Sequence, residues 1–404
     1  MTARHPAPEG EGGFRTRGSE VAAPAAPETA ELARRGLSEL GSAAAGIGDV
    51  HQALAERVFA LVGPQAAPVR VAHQAITRGV YAGVRGAAVA AGHGAALAVR
   101  GAPPVSRTPQ GARLVGILNG LVGDALEREG SPLAQPMSVR RAGEPAPRLV
   151  VFLHGLMETE RSWRLGDREP YGERLQRERP GTTAIELRYN TGRRISENGR
   201  SLCELMTELV AEWPVEVEEI ALVGHSMGGL VARSACHRAA LDDREWVRRV
   251  RHVVSLGSPH FGAPLEQAVH YAAHGLDRLP ETRPIARLLR RRSGGIRDLR
   301  HGSLVDEDWR DRDPDELRAA ACAEVPLLPG ATHCFVSATI TRSPDHPLGR
   351  LLGDMLVLTP SATGRSRTRR LGFRDEDGLH VAPANHFALL NHPKVYAQLR
   401  RWLG

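Results

Sequence analysis

From Arg148 onward, apolar and polar positions fall into short blocks whose period alternates between strand and helix. "RLVVFLHG" (148–155) is an unbroken apolar run ending in glycine, as expected of a strand buried on both faces of a sheet. "TTAIELRYN" reads as a second strand, "ENGRSLCELMTELVAEW" as an amphipathic helix and "EEIALVGHS" as a third strand. A helix "GGLVARSACHRAA" and a strand "VRHVVSLGSPH" follow. This succession predicts an α/β fold, with a mostly parallel sheet and right-handed crossovers. Further on, "THCFVSATITR" resumes a strand, "LHVAPA" is the last, and "HFALLNHPKVYAQLRRWL" reads as the closing helix. Between residues 261 and about 330 lies an arginine-rich stretch too long for a simple loop, which predicts a cap inserted over the sheet edge.

Upstream the pattern changes. Residues 1–30 are rich in Pro, Ala, Gly and charge, the composition of a disordered tail. Residues 31–145 carry Ala and Leu at helical spacing, and "VHQALAERVFALVG" sets Val50, Leu54, Val58 and Leu61 on one face. "AITRGVYAGVRGAAVAAGHGAALAVRG" is built from small residues, which suits close packing against another helix; a lipid surface is the competing expectation. "AGEPAPR" punctuates the change of pattern, so the alternating domain is expected over 146–404.

The strongest chemical signal is "ALVGHSMGGL". In G-x-S-x-G the serine occupies a sharp strand-to-helix turn, and glycine two residues to either side lets strand and helix approach. Such a turn exposes the Ser226 hydroxyl at a helix N-terminus. A serine hydroxyl is a weak nucleophile, so a base and an orienting acid are required, expected in the chain order Ser, Asp/Glu, His. "LLGDMLVLTPSATG" offers Asp354 between a glycine and an apolar run, with Asp345, Asp375 and Asp377 as rivals. For the base, His386 stands just past the last strand, at the start of the closing helix. His380 falls in the strand itself, and His392 falls more than a turn into the helix. The oxyanion of acyl transfer needs two backbone N–H donors. Met227, following the nucleophile, supplies one, and the His154-Gly155 turn presents the N–H of Leu156 as the other. The His154 and His260 side chains are expected to organise their loops, and His225 to be a bystander.

"HGLM", "GHSMGG", "GSPHFGAPL", "GDMLV" and "HFALLNHP" together resemble the α/β-hydrolase family. Within it they are most similar to bacterial lipases and esterases and to GPI inositol-deacylase-like serine esterases. "YNTGRRISENGRSL" also resembles the loop and helix after the second strand of these lipases. The resemblance covers roughly residues 146–404. It implies a sheet flanked by helices, a cap or lid at about 261–330, Asp354 and His386 in the acid and base roles, and ester hydrolysis. Acyl transfer or thioesterase chemistry on the same triad is the alternative. A membrane-surface scaffold with a degenerate hydrolase core is another.

Composition narrows the partners. The chain has 404 residues, 42% of them hydrophobic and only 4% aromatic, so an aromatic nucleic-acid platform is not expected. The net charge of +7 is almost all arginine, Lys394 being the only lysine, and most arginines alternate with acids. "RPIARLLRRRSGGIRDLR" and "GRSRTRR" are the exceptions, suited to a solvated face or to peripheral contact with an anionic membrane. The four cysteines are scattered and expected as free thiols in a cytoplasmic compartment. Neither a signal peptide nor a transmembrane run is expected. "DEDWRDRDPDE" is expected to be a solvated helix, because it lacks the glycine and ligand spacing of a calcium loop. No zinc spacing or phosphate loop occurs, so neither metal nor cofactor is expected. The anticipated substrate is a small-molecule or lipid ester.

Overall fold

The computed structural model describes residues 28–38, 52, 55–56, 67–99, 102–263, 292–313, 322–343, 346–366 and 369–404. The expected disordered tail up to residue 27, the apolar face at Val50, Leu54, Val58 and Leu61, much of the expected cap, and Asp345 lie outside the described residues.

Among the described residues, seven strands form one sheet in the order β1-β3-β2-β4-β5-β6-β7. They are β1 (Ser138–Ala142), β2 (Arg148–Leu153), β3 (Thr182–Arg188), β4 (Glu219–His225), β5 (Val250–Leu256), β6 (Thr332–Ala338) and β7 (Gly378–Val381). Strands β2 to β7 pair with one another in parallel. β1 is antiparallel to β3, pairing Ser138 with Arg188. The longer helices are α1 (Ala67–Ala98), α2 (Pro109–Arg128), α3 (Tyr171–Glu178), α4 (Ile195–Ala211), α5 (Met227–Leu241) and α6 (Pro393–Trp402).

The unbroken apolar runs have a simple cause. Leu149, Val151 and Leu153 of β2, with Ile220 and Leu222 of β4, join one core cluster with α4 and α5. Val150, Phe152, Ala221 and Val223 point the other way, into a second cluster with α3 and α6. Both faces are covered, so both sets of alternate positions are apolar. Burying such side chains contributes roughly 1.5–3 kcal/mol each.

The sheet begins before residue 146. β1, "SVRRA", lies within the region expected to be helical, and its two arginines break the apolar pattern because an edge strand is not buried on both faces. The closing helix also differs from expectation. His386–Asn391 form a separate 3-10 segment, and α6 begins only at Pro393.

The region before the sheet packs through α2 against the loops after β2 and β3, Gly116 facing Thr159 and Gly123 facing Asn190, and has a small cluster of its own. Val115 and Leu126 are buried with Leu133. Asn119 ties the following segment down, its Nδ2 donating to Val115 O and Leu133 O while its Oδ1 accepts from Gln135 N. In α1, close approach occurs at Gly92, where a β-carbon would stand 2.8 Å from Arg34 O. Val71, Val80 and Leu97 of α1 remain more than half exposed among the described residues. Of these residues, no helix is long and apolar enough to cross a membrane.

In the described part of the acidic run Glu307, Asp311 and Asp313 are exposed as expected, but Asp306 and Asp308 are not solvated, and only a short 3-10 turn forms there. Asp306 pairs with Arg200 at 2.7 Å and accepts from Ser196 Oγ at 2.6 Å. Asp308 accepts from the backbone N–H groups of Leu304 and Ala323. These carboxylates hold the segment against α4 and close a local turn.

Candidate active site

β4 ends at His225 and α5 starts at Met227, so Ser226 alone makes the turn, with φ 52° and ψ −121°. A non-glycine residue there is strained, at a cost of order 1–3 kcal/mol. Ser226 N donates to Leu256 O at 2.8 Å, fixing the turn to the neighbouring strand. The glycines are required by contact: a β-carbon on Gly224 would lie 2.2 Å from Gly229 N, and one on Gly228 2.3 Å from Leu153 O.

Asp354 and His386 come together. His386 Nδ1 lies 2.7 Å from Asp354 Oδ2, and His386 N donates to Asp354 O at 3.0 Å. Asp354 Oδ1 accepts from Leu356 N at 3.0 Å and Val357 N at 2.8 Å. Both side chains are buried, and Asn385 caps the segment that His386 opens. A Gly257 β-carbon would stand 3.1 Å from His386 Cε1, so the ring lies against the end of β5, beside the strand that carries Ser226.

The other candidates are occupied elsewhere. His380 contacts Ser337 Oγ and Thr339 Oγ1 across the sheet. His392 is not inside a helix but at its N-cap, its side chain accepting from Lys394 N. Asp375 pairs with Arg365 on the surface, and Asp377 pairs with Arg374 at 2.7 Å.

The loop after β2 is tightly ordered. Gly155 N donates to Glu158 Oε2, Met157 N to Thr191 Oγ1, and Glu158 N to Gly155 O. Over residues 155–158, Leu156 N–H is the one amide without an acceptor among the described residues, and it is the donor expected for the oxyanion. A Gly155 β-carbon would stand 3.1 Å from Ser226 Cβ, so this loop borders the serine directly. His154 organises it as expected. Its Nδ1 contacts Gly155 O at 3.0 Å, its Nε2 accepts from Tyr189 N, and its ring stacks on Tyr189 at 4.3 Å. Burial lowers the pKa of this imidazole, in keeping with a neutral ring. His260, also expected to organise its loop, is buried with Nδ1 3.3 Å from Arg233 Nη1.

Two residues at the site escape the sequence reading. His225 is not a bystander: its Nδ1 lies 3.0 and 3.1 Å from the two carboxylate oxygens of Glu158, and its Nε2 lies 3.2 Å from His386 O. Its ring packs 4.7 Å from that of His386. Burial by itself disfavours a charged His225 imidazole, yet Glu158 raises its pKa above the ordinary value. Burial likewise disfavours the Glu158 carboxylate, but His225 and the Gly155 N–H hold its pKa below the ordinary value. The signal for Glu158 is its spacing, because a Glu three residues after Gly155 reaches back to that N–H as in a helix capping box.

Residues 150–399 match the model of the α/β hydrolase family. The chain belongs to this family. Among solved structures it is similar to the mature form of the Bacillus licheniformis lipase BlEst2, at 19% identity over 66% of this chain and 95% of that one, with a TM-score of 0.39. It is also similar to EstA from Clostridium botulinum, at 13% identity over 64% and 87% of the two chains and a TM-score of 0.38. A NocB thioesterase domain, bound covalently to a fluorophosphonate nocardicin G analogue, aligns at 15% identity over 66% and 100% of the two chains, with a TM-score of 0.33. Comparison with curated proteins gives no match.

Proposed function

We propose that the chain is a serine hydrolase of carboxylic esters. Ser226 attacks the ester carbonyl while His386 Nε2 takes its proton, and Asp354 holds the imidazole in the Nδ1–H tautomer and stabilises its charged form. The N–H groups of Leu156 and Met227 stabilise the oxyanion. His386 then returns the proton to the leaving alcohol, and water, activated by the same base, releases the acid from the acyl-enzyme. The observation that carries this reading is the 2.7 Å Asp354–His386 contact beside a serine held at φ 52°.

An apolar acyl group or lipid is the substrate class we favour. Phe387 and Met355, adjacent in sequence to the base and the acid, are 48% and 66% exposed. Apolar side chains flanking the triad in this way suit an acyl chain, at ~0.8 kcal/mol per buried methylene. The four cysteines are free, which supports a reducing compartment such as the cytoplasm.

The test is a profile over p-nitrophenyl esters of graded chain length, run beside Ser226→Ala, together with fluorophosphonate labelling. Ester turnover that vanishes with Ser226, and a label on that residue, support the reading. Full activity in Ser226→Ala would sink it. Adding alcohol and thioester acceptors to the same panel separates hydrolysis from acyl transfer.

A further inference from the structure

We propose that Glu158 is a positioning residue of this centre, tying the oxyanion loop to the catalytic base through His225. The inference rests on the ester-hydrolase reading and names two residues that this reading does not use.

The geometry is a chain of contacts through one carboxylate. Glu158 Oε2 accepts the Gly155 N–H at 2.8 Å, which closes the turn presenting Leu156 N–H. The same carboxylate faces His225 Nδ1, and His225 Nε2 faces His386 O. A carboxylate and a carbonyl both accept hydrogen bonds, so making both contacts at once needs a proton on each ring nitrogen. His225 is therefore an imidazolium, and the buried Glu158 carboxylate is its counter-charge. The titratable groups facing the pair are His386 and Asp354 on one side and the neutral His154 on the other. Glu158 and His225 are both buried, so neither is free to relax into solvent.

The consequence is mechanical. The oxyanion donor and the proton acceptor stand on separate loops, after β2 and after β7, and must hold their relative position to a fraction of an ångström. A displacement near 1 Å is worth about 10²-fold in rate. The pair links these two loops through Gly155 N–H at one end and His386 O at the other.

The experiment compares steady-state kinetics of Glu158→Ala, Glu158→Gln and His225→Phe with the wild type at pH 8, with circular dichroism to confirm folding. A Gln amide can accept from Gly155 N–H and donate to a neutral His225 Nδ1, which leaves Nε2–H on His386 O, so the conservative variant restores every bond. Glu158→Ala is expected to lower kcat by about 10²-fold with KM held within threefold, and Glu158→Gln to stay within tenfold of wild type. Affinity for a trifluoromethyl ketone analogue should fall in parallel with kcat, whereas affinity for the product acid should not. If Glu158→Ala does not fold, His225→Phe carries the test, because it keeps an aromatic ring while deleting both bonds, and kcat should fall at least tenfold. A folded Glu158→Ala or His225→Phe at the wild-type rate, or a Glu158→Gln as slow as Glu158→Ala, overturns the proposal. The Ser226→Ala and labelling arms read the hydrolase assignment separately, so a serine-dependent activity indifferent to Glu158 refutes this inference alone.

Discussion

Asp354 uses both carboxylate oxygens, one on His386 Nδ1 at 2.7 Å and the other on the N–H groups of Leu356 and Val357. The carboxylate is thus fixed by two backbone donors as well as by His386, the arrangement its proposed role as orienting acid needs. Asp354→Asn replaces one acceptor oxygen with a donor, which cannot serve both the two N–H groups and the Nδ1–H tautomer. The expected result is a loss of kcat of about 10⁴-fold with thermal stability little changed. Asp375→Asn, at a surface carboxylate paired with Arg365, should leave kcat unaltered. Measuring kcat for the two variants side by side checks the choice of acid.

The parts of this site that are legible in the sequence are those fixed by backbone geometry. Gly224 and Gly228 announce the turn at Ser226, because any side chain there meets backbone within 2.3 Å. Asp354 and His386 are readable because each follows a strand at the end where the sheet presents its loops. β1 is hidden because an edge strand with two arginines lacks the apolar run that marks its neighbours. Glu158 and His225 are hidden for a different reason. Their pairing joins residues 67 apart in the chain, and burial of an ion pair leaves no periodic trace. The His392 cap is obscured because the 3-10 segment before it carries the same apolar spacing as a helix.

The placement of α2 brings the region before the sheet against the loop after β2. Gly120 faces the oxyanion loop so closely that a β-carbon would stand 2.4 Å from Met157 Cγ and 3.0 Å from Met157 N. Met157 itself has φ 61°, so the loop has little room to yield. Gly120→Val should push Met157 and the adjoining Leu156 N–H out of place, lowering kcat by about tenfold or more. Gly79→Ala, on α1 where nothing lies within 4 Å, should leave kcat intact and add up to ~1 kcal/mol of helix stability. Equal kinetics in the two variants would detach α2 from catalysis.

A second buried pair is structural. Arg188 of β3 donates to both oxygens of Glu160, at 2.6 and 2.5 Å, and the two side chains are 3% and 10% exposed. Glu160→Ala strands the guanidinium in the core, for an expected loss of about 3–5 kcal/mol. The control is Arg248→Ala, whose partner Asp243 is exposed, with an expected change below about 1 kcal/mol. Urea midpoints of both variants test the contrast.

The pH dependence of the Glu158–His225 pair has a definite sign. A carboxylate whose folded pKa is lowered contributes stability above its ordinary value of 4.5, and loses it as pH falls through the folded value. An imidazole whose folded pKa is raised contributes stability below its ordinary 6.5, and loses it as pH rises through the folded value. Both contributions are therefore present between pH 4.5 and 6.5. The stability difference between wild type and Glu158→Gln should be largest in that window and shrink at alkaline pH, as His225 becomes neutral and the Gln amide satisfies it. Urea midpoints of the two proteins from pH 4 to 9 give the curve; a difference that grows above pH 7 contradicts the assignment.

Ser226 connects stability and activity through its backbone. At φ 52° and ψ −121° a side chain is strained by about 1–3 kcal/mol, and glycine is not. Glycine also loosens the unfolded chain, which offsets about 0.4–1 kcal/mol of the gain. Ser226→Gly should therefore be more stable than wild type by roughly 0.5–2 kcal/mol, after subtraction of the two effects. Ser226→Ala removes the same hydroxyl but keeps the β-carbon, so it retains the strain and should melt close to wild type. Both variants should lack ester turnover. Comparing their urea midpoints isolates the backbone contribution, and a Ser226→Gly no more stable than Ser226→Ala would show that the turn holds the serine without strain.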